Sequence, residues 1–296
     1  MTQRRFEILT VVYDQEVSAL ERLVRSIKIS EDHALSAGLD IEVRVVLGNC
    51  GAKLSDAAVN GIVSIKPDVK FIEFEENLGH SAGCNALVAQ STGGSPDDMF
   101  LFLNPDALLA PSALKPLVMD LSRSEVGAVD ARQIPMEHPK YFDPDTRRQS
   151  WASGACLGTR REVFDRVGGF DPVNFWSYCN DVDLSWRIRL AGWQVVHVPD
   201  AVIFHDKRLS IAGHVEPTSS EVYFSTLGRL MLARRYGDQQ VELTTLNRIG
   251  MDGTDDEIRA ATEFKIRTAE SRVPRELPDA STVAEFRDGE YGFRRF

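Results

Sequence analysis

No apolar run in this 296-residue sequence approaches the ~20 residues a helix needs to span a bilayer, so no transmembrane segment is expected. Nor is there a long basic run. The 34 lysines and arginines are outweighed by 44 acidic residues, for a formal net charge of −10, which excludes a general nucleic-acid-binding face. An acidic balance does not bar an anionic ligand, because a bound cation reverses the sign locally. The four cysteines, Cys50, Cys84, Cys156 and Cys179, are widely spaced, lie in apolar surroundings and form no C-x-x-C pair. They read as reduced core thiols. The first residues, Met1 to Phe6, run into a strand pattern without an apolar signal core. A cytoplasmic protein is expected, with peripheral contact at the inner face of a membrane left open. There is no internal repeat and no convincing enzyme nucleophile.

What is present is a soluble globular composition, 43% hydrophobic and 26% charged, in a chain long enough for one large α/β domain and an extension. Short apolar runs at Ile8–Tyr13, Ile41–Leu47, Val69–Phe74 and Met99–Leu103 read as buried strands. Gly48-Asn49 would close the second of these. Val17, Leu20, Leu23, Val24 and Ile27 recur at helical spacing, and a further helix is expected over about 81–89. Alternating strands and helices imply a mostly parallel sheet with helices on both faces. In the second half, helices are expected over about 160–167 and 181–190, with Gly192 as a stop. Two short strands follow at Gln194–Val198 and Ala201–His205. The segment from about residue 216 reads as helical, and the Pro-containing tail from Val273 as loosely packed. Segments 135–149 and 207–220 read as loops able to cover a site.

Four constellations can carry chemistry. Phe100-Leu101-Phe102-Leu103-Asn104-Pro105-Asp106 is an apolar strand that stops on a turn, since Pro105 has no N–H for a ladder. Asp106 then stands past the carboxyl end of a strand, where open α/β sheets bind ligands and a carboxylate can hold a cation on a diphosphate. Read alone, the same residues are an ordinary Asx/Pro turn. Asp181 and Asp183 sit at a helix start. Asp183 is four residues before Arg187 and reads as an internal ion pair. Asp181 follows the aromatic run Phe175-Trp176-Ser177-Tyr178 and reads as a general base with its pKa raised by partial burial. His205-Asp206 ends an apolar strand; such a histidine is more often structural, but with Asp106 it suits a mixed N/O site for Mn2+ or Mg2+. The stretch from Glu76 to Asn85 is a strand–helix turn. Its glycine spacing, and its place after a later strand, exclude a dinucleotide fingerprint.

In this order the motifs resemble the family 2 glycosyltransferases of the GT-A fold, in their rhamnosyltransferase-like branch, from Phe6 to about His205. The motifs are Thr10-Val11-Val12-Tyr13; Asn77-Leu78-Gly79 with Gly83 and Asn85; Leu103 to Asp106; Gly154-Ala155-Cys156-Leu157 with Arg160-Arg161; Gly168-Gly169-Phe170-Asp171; Asn180 to Arg187; Gly192-Trp193; and Val198-Pro199 with His205. The resemblance implies a GT-A catalytic domain over 1–215, Rossmann-like, and a helical C-terminal extension with an irregular tail over 216–296. It implies that Asp106 and His205 hold the metal ion and that Asp181 is the catalytic base. It further implies that Tyr13, Asn77, Gly79, Asn104 and Asp106 bind the nucleotide sugar. Two positions depart from the family: Gly48 stands where an Asp usually reads the base, and Asn180 where Glu is usual.

The implied reaction is inverting transfer of a sugar from a nucleoside-diphosphate donor, of dTDP-rhamnose or UDP-hexose type, to an acceptor hydroxyl with Mn2+ or Mg2+. The acceptor is a glycan, a lipid-linked sugar or a small molecule. A homodimer is compatible with the extension. The alternatives are a non-catalytic sugar-nucleotide-binding module and a sugar nucleotidyltransferase. The latter should carry a Gly-rich loop with a basic residue after the first strand, and Tyr13-Asp14-Gln15-Glu16-Val17 has none. A dehydrogenase fingerprint is missing there too.

Overall fold

The computed structural model describes residues 4–91, 94–138, 140–206, 217–287 and 290–291. The chain runs β1 (Arg4–Val12), α1 (Val17–Ser36), β2 (Ile41–Asn49), α2 (Asp56–Ile65), β3 (Lys70–Glu73), α3 (Gly79–Gln90) and β4 (Met99–Leu103). It continues through β5 (Ala107–Leu109), α4 (Leu114–Leu121), β6 (Val126–Ile134), β7 (Cys156–Arg160), α5 (Arg161–Val167), α6 (Asn180–Leu190) and β8 (Gln194–His205). The C-terminal part holds α7 (Ser219–Arg235), α8 (Gln239–Asp252) and α9 (Asp255–Ala269), then the short pair β9 (Phe286–Arg287) and β10 (Glu290–Tyr291).

Eight strands form one sheet in the order β3-β2-β1-β4-β7-β6-β8-β5. The first four are mutually parallel, and β6 runs parallel to β8. β7 is antiparallel to both its neighbours and β5 is antiparallel to β8. The carboxyl ends of β1, β2, β4, β6 and β8 therefore share one edge. Side chains alternate across a strand, and β4 sends Met99, Leu101 and Leu103 to one core and Phe100 and Phe102 to the other. The first core packs under α1 and α4, the second under α3, α5 and α6. Burial on both faces explains why these strands read as continuous apolar runs.

Several sequence expectations are corrected. β2 runs through Gly48-Asn49 instead of closing there. The two short strands before His205 are one, β8. Its pairing slips between Ala131↔Val198 and Arg132↔Val202, so the Pro199 segment bulges without ending the strand. β6 is central yet was not evident, because Gly127, Asp130, Arg132 and Gln133 break its apolar pattern. Residues 207–216 of the second expected loop lie outside the described residues. The described part of the tail, 273–287 with 290–291, is not loose. Val273, Leu277, Ala280, Val283 and Phe286 join a third core with Trp186, Leu230, Met231 and Phe264. Backbone bonds fasten it: Leu277 N–H donates to Arg235 O (2.9 Å), and Arg189 Nη1 donates to Val283 O (2.8 Å).

Candidate functional site

β4 is fully buried and ends where Pro105 removes a donor. The chain turns directly into β5, and Ala107 pairs with His205. That pairing brings Oδ1 of Asp106 to 3.5 Å from Nε2 of His205, and the backbone N–H of Asp206 donates to Asp106 O (3.2 Å). Oδ1 of Asp106 is shielded from solvent and accepts no hydrogen bond from the described residues. A buried, unpaired carboxylate oxygen is costly unless a ligand satisfies it. On the other side of the ring, Nδ1 of His205 lies 2.9 Å from Oε1 of Gln133. An amide oxygen only accepts, so with the amide in this orientation Nδ1 carries a hydrogen, and Nε2 is the ring nitrogen turned toward Asp106. Asn104 is held through its backbone: its N–H donates to Ala155 O (3.1 Å) and its carbonyl accepts from Ala107 N (3.1 Å).

Asp181 enters from α6. Two non-glycine residues in the left-handed region, Tyr178 (φ 59°) and Cys179 (φ 56°), turn the chain into this helix. Conformations of that kind concentrate at functional sites. Oδ2 of Asp181 accepts from Gly154 N–H (2.8 Å) and Oδ1 from Val182 N–H (2.9 Å). Burial pushes the Asp181 carboxyl above the ordinary carboxylate range, and the two N–H donors only partly oppose it. Gly154 fits closely here, since a Cβ would stand 3.3 Å from the Asp181 carboxylate. Asp183 points away. It is fully buried, accepts from Arg187 (2.7 Å) and Arg235 (2.7 Å), and is an internal ion pair as the sequence suggested. Asn180 Nδ2 meets Nδ1 of His80 at 2.8 Å. Burial lowers the His80 pKa to about 4, so this ring is neutral beside Asp181 at neutral pH.

The nucleotide-side residues are more spread out. Tyr13 is exposed just past β1. The adjoining Asp14 accepts from Ala52 N–H (3.0 Å), joining the loops after β1 and β2. Asn77 accepts from Gly79 N–H (3.0 Å) and so shapes the entry to α3. Gly79 has φ 69°, and a Cβ there would lie 2.4 Å from the Trp176 ring. Gly48 faces Phe74 and Leu87, each 2.8 Å from where a Cβ would stand. An aspartate at 48 would have to displace both.

Asp106 and His205 are thus brought together directly. Asn104 and Asp181 meet through successive residues, Ala155 and Gly154. Gly79 and Asp181 sit beside the His80–Asn180 bond. Tyr13 stands apart, exposed past β1, and makes no hydrogen bond or ring contact with the others. Two protein donors suit a cation that takes its other oxygens from a diphosphate and water. Among the described residues no group of three or more His, Cys, Asp or Glu is arranged so as to hold a metal ion by itself. The sequence did not disclose Gln133, Ser153 or the Asn180 partner His80.

The sheet order and the helices on both faces are those of the GT-A fold of glycosyltransferases. Residues 8–177 match glycosyl transferase family 2. The chain belongs to that family and is a glycosyltransferase that uses a nucleotide sugar. It is 29% identical to the N-acetylglucosaminyl-diphospho-decaprenol L-rhamnosyltransferase of Mycobacterium tuberculosis (strain CDC 1551 / Oshkosh), covering 64% of this chain and 72% of that one. It is 26% identical to the rhamnosyltransferase WbbL of Escherichia coli (strain K12), covering 38% and 54% respectively. GalNAc-T7, solved with UDP, GalNAc and Mn2+, has a TM-score of 0.64 at 16% identity; the match covers 92% of this chain and about half, 55%, of that one. S. aureus TarS 1-349 in complex with UDP-GlcNAc has a TM-score of 0.57 at 13% identity, covering 91% and 82%. These two likenesses concern the fold alone. No helix among the described residues is long and apolar enough to cross a membrane.

Proposed function

We propose that the protein transfers a sugar, L-rhamnose being the first to test, from a nucleoside-diphosphate donor to a hydroxyl of a lipid-linked glycan, with inversion. The observation that carries this reading is the shielded Oδ1 of Asp106, without a hydrogen-bond donor among the described residues, facing Nε2 of His205 at 3.5 Å. The rhamnosyltransferase relatives support the sugar, and the decaprenol-linked substrate in one relative's name supports the acceptor class. A lipid-linked acceptor also fits a cytoplasmic enzyme in peripheral contact with a membrane.

Asp106 and His205 would hold Mn2+ or Mg2+, which would supply neutralisation of the charge developing on the departing diphosphate. Asp181 takes the proton of the acceptor hydroxyl as that oxygen attacks, and its raised pKa makes it the stronger base. Gly154 and Val182 N–H hold the carboxylate in place for that step. The reacting carbon passes through an oxocarbenium-like state, and attack opposite the leaving group inverts it. Exposed Trp176 and Tyr178 offer aromatic walls beside the base. Tyr13, Asn77, Gly79 and Asn104 line the donor side. With Gly48 closed off by Phe74 and Leu87, the base is not read by a carboxylate at that position. Residues 1–215 form the catalytic unit and 216–296 its extension.

The test is product analysis. Wild-type protein is incubated with Mn2+, dTDP-rhamnose or UDP-hexoses, and a polyprenyl-diphospho-GlcNAc acceptor, and the anomeric configuration of the product is read by NMR. A product of inverted configuration is expected. A retained anomer would overturn the mechanism, and nucleotide release without any glycoside would overturn the acceptor class.

A further inference from the structure

Gln133 is 2% exposed, and both ends of its side-chain amide are used. Oε1 accepts from His205 Nδ1 (2.9 Å), and Nε2 donates to Ser153 Oγ (2.9 Å). Amide orientation and ring tautomer are set together: turning the amide over would make Gln133 donate to Nδ1, Ser153 Oγ donate to Oε1, and place the ring hydrogen on Nε2 toward Asp106. Ser153 belongs to a short segment fixed one residue at a time. Ala152 N–H donates to Ser185 Oγ (3.0 Å), Ser153 N–H to Asp130 Oδ2 (2.8 Å), and Gly154 N–H to Asp181 Oδ2 (2.8 Å). Ala155 O accepts from Asn104 N–H (3.1 Å).

Asp130 anchors the segment from below. It is buried on β6 and accepts from Gln149 Nε2 (2.7 Å), from His197 Nδ1 (2.9 Å) and from the Lys140 ammonium. Burial alone would raise this carboxyl, but Lys140 and His197 outweigh it and hold it well below the ordinary range. The anchor is therefore a fixed anion. Every donor and acceptor from His205 to Asp130 lies in one hydrogen-bonded series: His205, Gln133, Ser153, Asp130. Removing a partner from such a buried series leaves a costly unmet group.

We infer that Gln133 is the positioning residue of this site. It holds His205 as the Nδ1–H tautomer, with Nε2 free toward Asp106, and through Ser153 it ties that arm to the segment that grips Asp181. The inference rests on the reading of Asp106 and His205 as the cation-holding pair. Partners of this kind fix the ring orientation and basicity of a ligating histidine, and their loss typically weakens metal affinity ~10–100-fold. A replacement that keeps an acceptor at the Oε1 position should keep the arm in place. A glutamate does so, and the Ser153 hydroxyl can turn to donate to it.

The test compares wild type, Gln133→Leu, Gln133→Glu and His205→Ala. Two readouts are used: Mn2+ affinity by electron paramagnetic resonance with UDP or dTDP present, and the tautomer of His205 by 15N NMR of the metal-free protein. His205→Ala is expected to lose Mn2+ affinity. Gln133→Leu should weaken it about tenfold and shift His205 away from the Nδ1–H form, while Gln133→Glu keeps both near wild type. If His205→Ala weakens Mn2+ binding but Gln133→Leu changes neither readout, the role of Gln133 is overturned and the cation pair stands. If His205→Ala binds Mn2+ as wild type does, the cation pair itself fails. Should Gln133→Leu not fold, loss of the Nδ1–H signal in a folded Gln133→Glu would overturn the inference instead.

Discussion

The side-chain amide of Asn180 lies 2.8 Å from Nδ1 of His80, one residue before Asp181. A neutral pair thus stands beside Asp181, the proposed base, at the position where the resemblance leads one to expect a glutamate. Burial lowers the His80 pKa from its ordinary 6.5 to about 4. The unfolded chain then binds more protons than the folded one across that interval, so stability is complete above about pH 6.5 and falls as pH drops toward 4.

Urea midpoints measured between pH 7 and 4 should decline, and His80→Leu should flatten the decline, with a difference of at most about 3 kcal/mol. Equal slopes for the two proteins would mean that His80 is protonated within the fold.

Asp181→Asn should bind donor as wild type does yet turn over ~10²–10⁴ times more slowly. Burial holds the carboxyl above its ordinary range, so the acid limb of the wild-type rate profile should fall above pH ~4 and vanish in the variant. Because the folded state holds that proton more tightly than the unfolded chain, ionising Asp181 costs stability as pH rises through its folded pKa. Asn removes that cost while giving up one accepted bond, so the melting temperature should move little. Near-native turnover in Asp181→Asn would place the base elsewhere.

Asp183→Asn should do the reverse. It removes the carboxylate partner of the part-buried Arg187 guanidinium and one of the two carboxylates on the buried Arg235, which keeps Asp171; a broken buried pair costs up to ~3–5 kcal/mol. Chemical denaturation should report that loss, with the acid limb of the rate profile unmoved in the fraction that stays folded. An unchanged denaturation midpoint would remove Asp183 from the supports of α6.

Local patterns made part of this legible. An apolar run cut by Pro105 marks the end of β4, and Asp181 and Asp183 at a helix start mark α6, because strand ends and helix starts are written in a few adjacent residues. The approach of His205 to Asp106 depends on β5 pairing with β8, and no local pattern encodes that register. β6 is hidden for the same reason that it matters: Asp130 and Gln133 are polar residues in a buried strand, and their place in it is explained only by the partners at 140, 149, 153, 197 and 205 assembled around them. Gly48 could be seen as a departure, but only packing reveals Phe74 and Leu87 filling its space.

The central claim is that Asp106 takes part in holding a cation on the donor diphosphate. Calorimetric titration of UDP and of dTDP-rhamnose, with and without Mn2+, into wild type and Asp106→Ala tests it directly. The account expects Mn2+-dependent binding of at least one of them in wild type, abolished in an Asp106→Ala protein whose melting temperature without ligand is unchanged. Equal affinity in the two proteins with Mn2+ present would contradict it.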